Sequence, residues 1–471
     1  MPAFRAMGLA ELARRVRRDL ELLEYPSRPW VAPRTAAKGE AVYDVIIVGG
    51  GQSGLTAAFG LLRERVSNLL VLDQNPLDRA GPWLSFARML TLRTPKYLTG
   101  PDLGIPNLTA RAWYEAQFGD GSWAALGMLP KEQWAAYLAW YRETLSIPVR
   151  ANTSVGALGY DEQARHFLVP CRTNDGQRTL RARRVVLATG IDGSGEWRVP
   201  RRISSALPAH LYAHTRDNID FGALRGKRVA VLGAGASAFD NAATALEEGA
   251  RDVHLFFRRP KLVNVNPYRW AEFVGFLKHH ADLPDPEKWR FILQIMRMGQ
   301  LPPKDTLARA QAHAGFQLHA AADWKALSAR SESVLIETES ARFEVDFVIV
   351  ATGSVTDLAA RPELAKFESR IARWADRYTP PPEDQHEDLL RHPYLGPSFE
   401  FTERHLGEAP FLAHLYNYTF GGLVSMGFGG ASISGLKYSA PRLVAGITRS
   451  LFLEDSAAHY ESLCEYAVPE F

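Results

Sequence analysis

Apolar positions along the chain follow two spacings, and the switches between them lay out the elements. Near the start, Leu9, Leu12, Val16, Leu20 and Leu23 recur at helical spacing, and Pro26, Pro29 and Pro33 close the pattern. This predicts an amphipathic helix within an extension over residues 1–40, docked on the body or on a second subunit. From residue 41 the pattern is that of buried strands. Tyr43-Asp44-Val45-Ile46-Ile47-Val48 leads into Gly49-Gly50-Gly51-Gln52-Ser53-Gly54, then an Ala/Leu-rich helix to about Glu64. A second apolar strand, Leu69-Leu70-Val71-Leu72, ends in Asp73.

The same order returns 184 positions later. Arg228-Val229-Ala230-Val231-Leu232 is a strand, Gly233-Ala234-Gly235-Ala236-Ser237-Ala238 a turn, Asn241 to Glu248 a helix, and Val253 to Phe257 a strand ending at Arg258-Arg259. Each opening has a closing element. Arg184-Val185-Val186-Leu187 runs into Ala188-Thr189-Gly190, and Asp346 to Val350 runs into Ala351-Thr352-Gly353. A buried strand that stops at such small residues suits a chain leaving a sheet beside a bound cofactor. Thr189, Gly190, Thr352 and Gly353 are therefore expected at the cofactors.

The period is domain-sized, so it predicts an α/β fold with two dinucleotide-binding, Rossmann-like three-layer domains. The first is discontinuous, over 41–205 and 342–471. The second, over 206–341 with a helical insertion, is inserted into it, and Gly190 and the neighbourhood of Gly353 serve as hinges. Phe428-Gly429-Gly430-Ala431-Ser432 precedes a last helix from about Gly435 through Leu453.

Composition narrows the function. Lys and Arg number 55 against 52 Asp and Glu, a net charge of +3, so no basic stripe marks a nucleic-acid partner. The two cysteines, Cys171 and Cys464, exclude a disulfide framework, a cysteine-rich metal site and a dithiol relay. No run of 18 apolar residues suggests a membrane span. The arginines at 5, 14, 15, 17 and 18 lack an apolar stretch to form a secretory signal, so the cytoplasm is the expected location.

The turns carry the chemistry. In a G-x-G-x-x-G turn the glycines permit the tight bend, backbone approach to a diphosphate, and close helix–strand packing. Gly49, Gly51 and Gly54 meet this in full, with Gln52 and Ser53 opening the helix whose free N–H groups receive the diphosphate. Asp73, 24 positions after Gly49, suits ribose hydroxyls and repels a 2′-phosphate. In the second turn Gly233, Gly235 and Ser237 are followed by Ala238 in place of the third glycine. Arg258, 25 positions after Gly233, and Arg259 stand where the first site is acidic. A guanidinium matches a 2′-phosphate bidentately, which points to NADPH. The pair of sites implies FAD on the first, NADPH on the second, and electron flow between them.

The order G-x-G-x-x-G, A-T-G, G-x-G-x-S-A, A-T-G resembles the class B flavoprotein monooxygenases over about residues 41–455. Gly81-Pro82-Trp83 resembles their G-x-W segment, which implies that Trp83 approaches the flavin. In Leu90-Thr91-Leu92-Arg93-Thr94-Pro95-Lys96, Arg93 stands where the flavin-containing branch carries an asparagine near the flavin edge, more like the N-hydroxylating branch. Arg93 is thus the catalytic candidate. The linker Leu207-Pro208-Ala209-His210-Leu211-Tyr212-Ala213-His214 shifts the family histidine by one position, which disfavours a Baeyer–Villiger enzyme.

The resemblance implies that NADPH reduces FAD, that O₂ then forms a flavin C4a-(hydro)peroxide, and that one oxygen passes to nitrogen, sulfur or activated carbon of a small substrate. It also aims the last helix at the flavin. The alternatives are an NADPH-dependent reductase or oxidase releasing hydrogen peroxide, or a redox sensor. Aromatic residues at 267–291 and 411–428 suit an apolar or aromatic ligand, or simply a core. A homodimer is compatible with all of this.

Overall fold

The computed structural model describes residues 6–35, 39–98, 100–430 and 432–471. Arg5, the 36–38 stretch of the N-terminal extension and Ala431 of the last glycine-rich run lie outside the described residues.

The first sheet is parallel at its centre. Its strands run Val149–Arg150, Leu69–Leu72, Tyr43–Val48, Gly176–Leu187, His166–Thr173 and Ser154–Val155, and Leu415–Asn417 adds in parallel beside Gly176–Leu187. The twelve-residue strand Gly176–Leu187 plays two parts, and its sequence shows why. Its polar first half, exposed, pairs antiparallel with His166–Thr173 in a projecting arm. Its second half is buried and pairs Val48 with Leu187 at the carboxyl edge, where the glycine turn begins. Helix Gln52–Arg63 lies against helix Leu436–Glu454, close enough that a Cβ on Gly60 would stand 2.7 Å from Val444.

A buried ion network pins the end of helix Leu436–Glu454 to the sheet. Arg183 pairs with Asp455 at 2.7 Å and Glu454 at 3.0 Å, and Arg184 pairs with Glu454 at 2.8 Å. Burial acts to raise the Glu454 pKa, but Arg184 and Arg183 overcome it and hold the group at about 2. The N-terminal helix, Leu9–Leu22, docks on the body: Leu12 and Val16 are fully buried, and Gly8 N–H donates to the Ala116 carbonyl at 2.7 Å.

The second sheet is parallel throughout, in the order Phe316–His319, Asp252–Phe256, Arg228–Leu232, Phe347–Val350, Tyr212–His214. Helix Ala236–Glu247 covers one face. The other is covered by an antiparallel meander, Ala326–Arg330, Ser333–Glu337 and Arg342–Val345, whose Val334, Ile336 and Val345 pack on Leu232, Phe256 and Val350. One outer layer of this unit is therefore β rather than helix.

Two expectations need correction. A boundary between 341 and 342 would cut this unit, because Phe347–Val350 is a central strand of its sheet; the chain leaves it at Ala351–Gly353. There, Ser354–Thr356 pairs antiparallel with Gly195–Trp197, so the two crossings form one ribbon. The helical insertion also does not stay with the second unit. Helices Pro267–Trp270, Val274–His279 and Asp285–Met298 pack on Trp374, Leu389, Leu423 and Val424 of the first. Its apolar positions, Phe276, Trp289, Ile292 and Ile295, are buried in that contact, and both faces of the second sheet are already covered by helix Ala236–Glu247 and the meander.

Candidate functional site

Both glycine turns sit at carboxyl edges of parallel strands, where open α/β sheets bind ligands. Gly49 has φ +113° and Gly233 φ +135°, and a Cβ on either would run into the carbonyl of the neighbouring crossing, Ala188 or Ala351. Glycine is therefore required at both by conformation and by space. Gly51 differs: the nearest atom to a Cβ there is the Gly81 Cα, 3.9 Å away. Gly235 is similar, with only the Gln300 side-chain oxygen at 3.4 Å. The second glycine of each turn thus faces open space in front of a helix N-terminus, of the shape a diphosphate needs.

The first cradle is tightly built. Asp73, 7% exposed, accepts from Gly50 N–H at 2.7 Å and from Asn75 N–H at 2.8 Å. Its carboxylate therefore braces the turn. With about four acceptor positions on a carboxylate, it keeps capacity for a ribose hydroxyl. Ser53 Oγ donates to the Gly430 carbonyl, tying the helix start to the C-terminal glycine run, and Gln52 Oε1 accepts from Trp134 Nε1 at 3.2 Å. Trp83 stands edge-on to Trp134, centroids 6.4 Å apart.

Three buried polar atoms beside this turn lack a partner among the described residues: Trp83 Nε1, Thr189 Oγ1 and Asn417 Nδ2. Buried polar atoms are almost always satisfied, so three together at a strand edge fit a polar ligand such as a flavin nucleotide. Asn417 ends the strand Leu415–Asn417, and its Oδ1 accepts from Thr419 Oγ1 at 2.6 Å. Sequence reasoning missed Asn417. Its one signal was a short apolar strand ending on a polar residue ahead of Gly421-Gly422.

The second cradle is more open. Ser237 is exposed at the helix start, and Ala238, fully buried, packs where the third glycine stands in the first turn. Arg258 is exposed, and its guanidinium has no hydrogen bond or ion pair among the described residues. Arg259 is committed elsewhere: it donates to the carbonyls of Met298 at 3.0 Å and Arg297 at 3.3 Å, capping helix Asp285–Met298. The two arginines expected to act together are thus separated. At the crossings, Gly190 O accepts from Phe420 N–H at 3.2 Å and Thr352 Oγ1 donates to Arg198 O at 2.8 Å, while Gly353 has φ +77° with open space around its Cα.

One segment forms a wall shared by both cradles. Residues 81–93 begin beside Gly51 and end on the second unit, where Arg93 forms an ion pair with Asp240 of helix Ala236–Glu247. Asp240 is buried, also accepts from Thr306 Oγ1 at 3.1 Å, and has its pKa raised by burial in spite of Arg93. The guanidinium of Arg93, the catalytic candidate, bridges the two units through this pair. Against the same segment, Arg216 lies over the Phe86 ring at 4.1 Å and holds Asp192 at 2.7 Å, while Arg88 of the segment donates to Asp217 O at 2.9 Å. His214 is buried, burial lowers its pKa, and it stands against Trp197 beside the paired crossings.

Among the described residues no group of metal-ligating side chains is assembled, both cysteines are free, and no helix is long and apolar enough to cross a membrane.

Comparison with known proteins agrees with this geometry. A family model described as pyridine nucleotide-disulphide oxidoreductase matches residues 46–276, a stretch that contains both glycine turns. A FAD-dependent urate hydroxylase of Xanthomonas campestris pv. campestris is 45% identical over 465 residues, covering 99% of this chain and 98% of that protein. Among solved structures, an ornithine hydroxylase from Pseudomonas aeruginosa superposes with a TM-score of 0.69 at 15% identity, covering 87% of this chain and 100% of that one. An ornithine N-hydroxylase from Kutzneria sp. 744, bound to reduced FAD, NADP⁺ and L-ornithine, does so with a TM-score of 0.65 at 16% identity, covering 87% and 99%. The solved structures establish the shared fold.

Proposed function

The chain belongs to the FAD-dependent hydroxylases of the flavoprotein monooxygenase class, and from that premise we propose that it draws electrons from NADPH to hydroxylate urate or a closely similar oxidised purine. It is an oxidoreductase. O₂ gives one atom to the substrate and one to water, and NADPH supplies the two electrons that balance the second atom. Bound FAD would supply the hydride acceptor and the O₂ activation that this transfer needs.

The chain's own residues bind, orient and shield. The N–H groups at the start of helix Gln52–Arg63 receive the FAD diphosphate, and Asp73 keeps the turn in shape while accepting from the ribose. Thr189 Oγ1, Asn417 Nδ2 and Trp83 Nε1 gain the partner each lacks. Trp83 and Trp134 close the site on that side and keep water from the reacting face. On the second unit, helix Ala236–Glu247 takes the NADPH diphosphate and Arg258 the 2′-phosphate. Arg93, held by Asp240, fixes the distance between the cradles, which sets the geometry of hydride transfer.

The observation that carries this reading is the full-length 45% identity to a urate hydroxylase, on a scaffold whose two cradles share the 81–93 wall. The test is turnover of urate under ¹⁸O₂ with NADPH, followed by mass spectrometry. One labelled oxygen in the product and one NADPH consumed per urate are expected. NADPH consumption that yields only hydrogen peroxide in the presence of urate overturns the substrate assignment.

A further inference from the structure

The helical excursion that crosses to the first unit carries a buried acceptor that neither the fold nor the cofactor cradles use. His280, 2% exposed, donates from Nε2 to the Val424 carbonyl at 3.1 Å. A carbonyl only accepts, so the proton sits on Nε2 and Nδ1 is bare. Burial pushes the pKa down to about 4, so the ring is neutral at physiological pH. Nδ1 is buried and has no partner among the described residues. An acceptor left in that condition costs stability, and a ligand N–H would recover it.

Its neighbours are aromatic. Phe276 lies 5.1 Å from the His280 ring and 5.9 Å from Phe428, and Tyr268 lies 5.2 Å from Phe428. Gly427 has φ +67°, and a Cβ there would stand 3.0 Å from the imidazole, so the backbone passes directly over the ring. The same stretch runs through Phe428 and Gly429 to Gly430, whose carbonyl accepts from Ser53 at the first glycine turn. Gly427, packed on the imidazole, is therefore three residues along the chain from Gly430 at the FAD cradle.

We propose that His280 is a specificity-determining residue, whose Nδ1 accepts a ring N–H of a planar lactam heteroaromatic held among Tyr268, Phe276 and Phe428. This rests on the reading of the chain as a hydroxylase of oxidised purines and names the side chain that reads the substrate. A site built around a buried hydrogen bond rejects analogues that cannot make it far more strongly than a merely apolar pocket would.

The experiment compares urate with its mono-N-methyl isomers on the FAD-loaded protein, measuring kcat and KM separately for the wild type and for His280→Phe. Phenylalanine keeps a planar ring at this position and has no nitrogen acceptor. For the wild type, one isomer is expected to lose at least about tenfold in kcat/KM relative to the others. In His280→Phe, KM for urate rises about tenfold or more and the penalty on that isomer disappears. A wild type that treats all the isomers alike overturns the proposal, and this arm does not depend on the variant folding. So does a variant that keeps the same isomer ranking. A wild type that oxygenates no urate fails the functional reading itself, which separates the two failures.

Discussion

The two nucleotide cradles share a backbone plan and differ in how far each is finished before a ligand arrives. At the first, Asp73 is buried and already bonded to the Gly50 and Asn75 N–H groups, Ser53 is tied to Gly430, and Trp83 is packed on Trp134. At the second, Ser237 and Arg258 are exposed, and Arg258 has no hydrogen bond or ion pair among the described residues. The difference matches two kinds of ligand. A resident cofactor benefits from a preformed, braced site, since ordering costs are met on folding. A co-substrate that must leave in every cycle is better served by an exposed, charge-based site, since release then limits turnover less.

Substitutions at equivalent positions should separate the two roles. Gly51→Val has the largest expected effect: the fold accepts a Cβ there, but the side chain fills the diphosphate space. The protein should purify folded and colourless, with FAD affinity down more than about 100-fold by fluorescence titration. Gly235→Val is its counterpart and should purify yellow yet resist reduction by NADPH, again by about 100-fold in anaerobic stopped flow. Next is the bridge. Asp240→Asn leaves Arg93 without its anion, and flavin reduction should slow about tenfold or more while FAD content stays normal. Arg258→Ala should weaken NADPH by about 1.5–3 kcal/mol, roughly 10- to 150-fold, with NADH little changed. Arg259→Ala should be smallest: less than about threefold on NADPH binding, with a drop of a few degrees in Tm as helix Asp285–Met298 loses its cap.

The glycine turns, the acidic and basic strand ends and the A-T-G crossings were legible in the sequence because each is a local backbone requirement. Gly49 and Gly233 each need positive φ and a missing side chain, and only one residue type meets both demands. The Arg93–Asp240 bridge was not legible, because 147 residues separate its members and nothing local to either marks the other. The insertion was expected to be helical, but the sequence does not say which surface covers its apolar residues; Trp374 and Leu423 do. The meander on the second sheet escaped notice because its exposed alternation resembles loop sequence. Arg258 and Arg259 are adjacent and chemically equal, so only the helix end beside Arg259 distinguishes them. Asn417 and His280 stand out by unpaired atoms, a property no sequence displays.

The central claim is that reducing equivalents enter at the exposed basic cradle and arrive at the braced acidic one. Anaerobic mixing of the purified yellow protein with one equivalent of NADPH, followed at the flavin absorbance band, tests it most directly. The account predicts complete bleaching with NADPH and at least about tenfold slower or weaker reduction with NADH. A flavin that stays oxidised with both nicotinamides would contradict it.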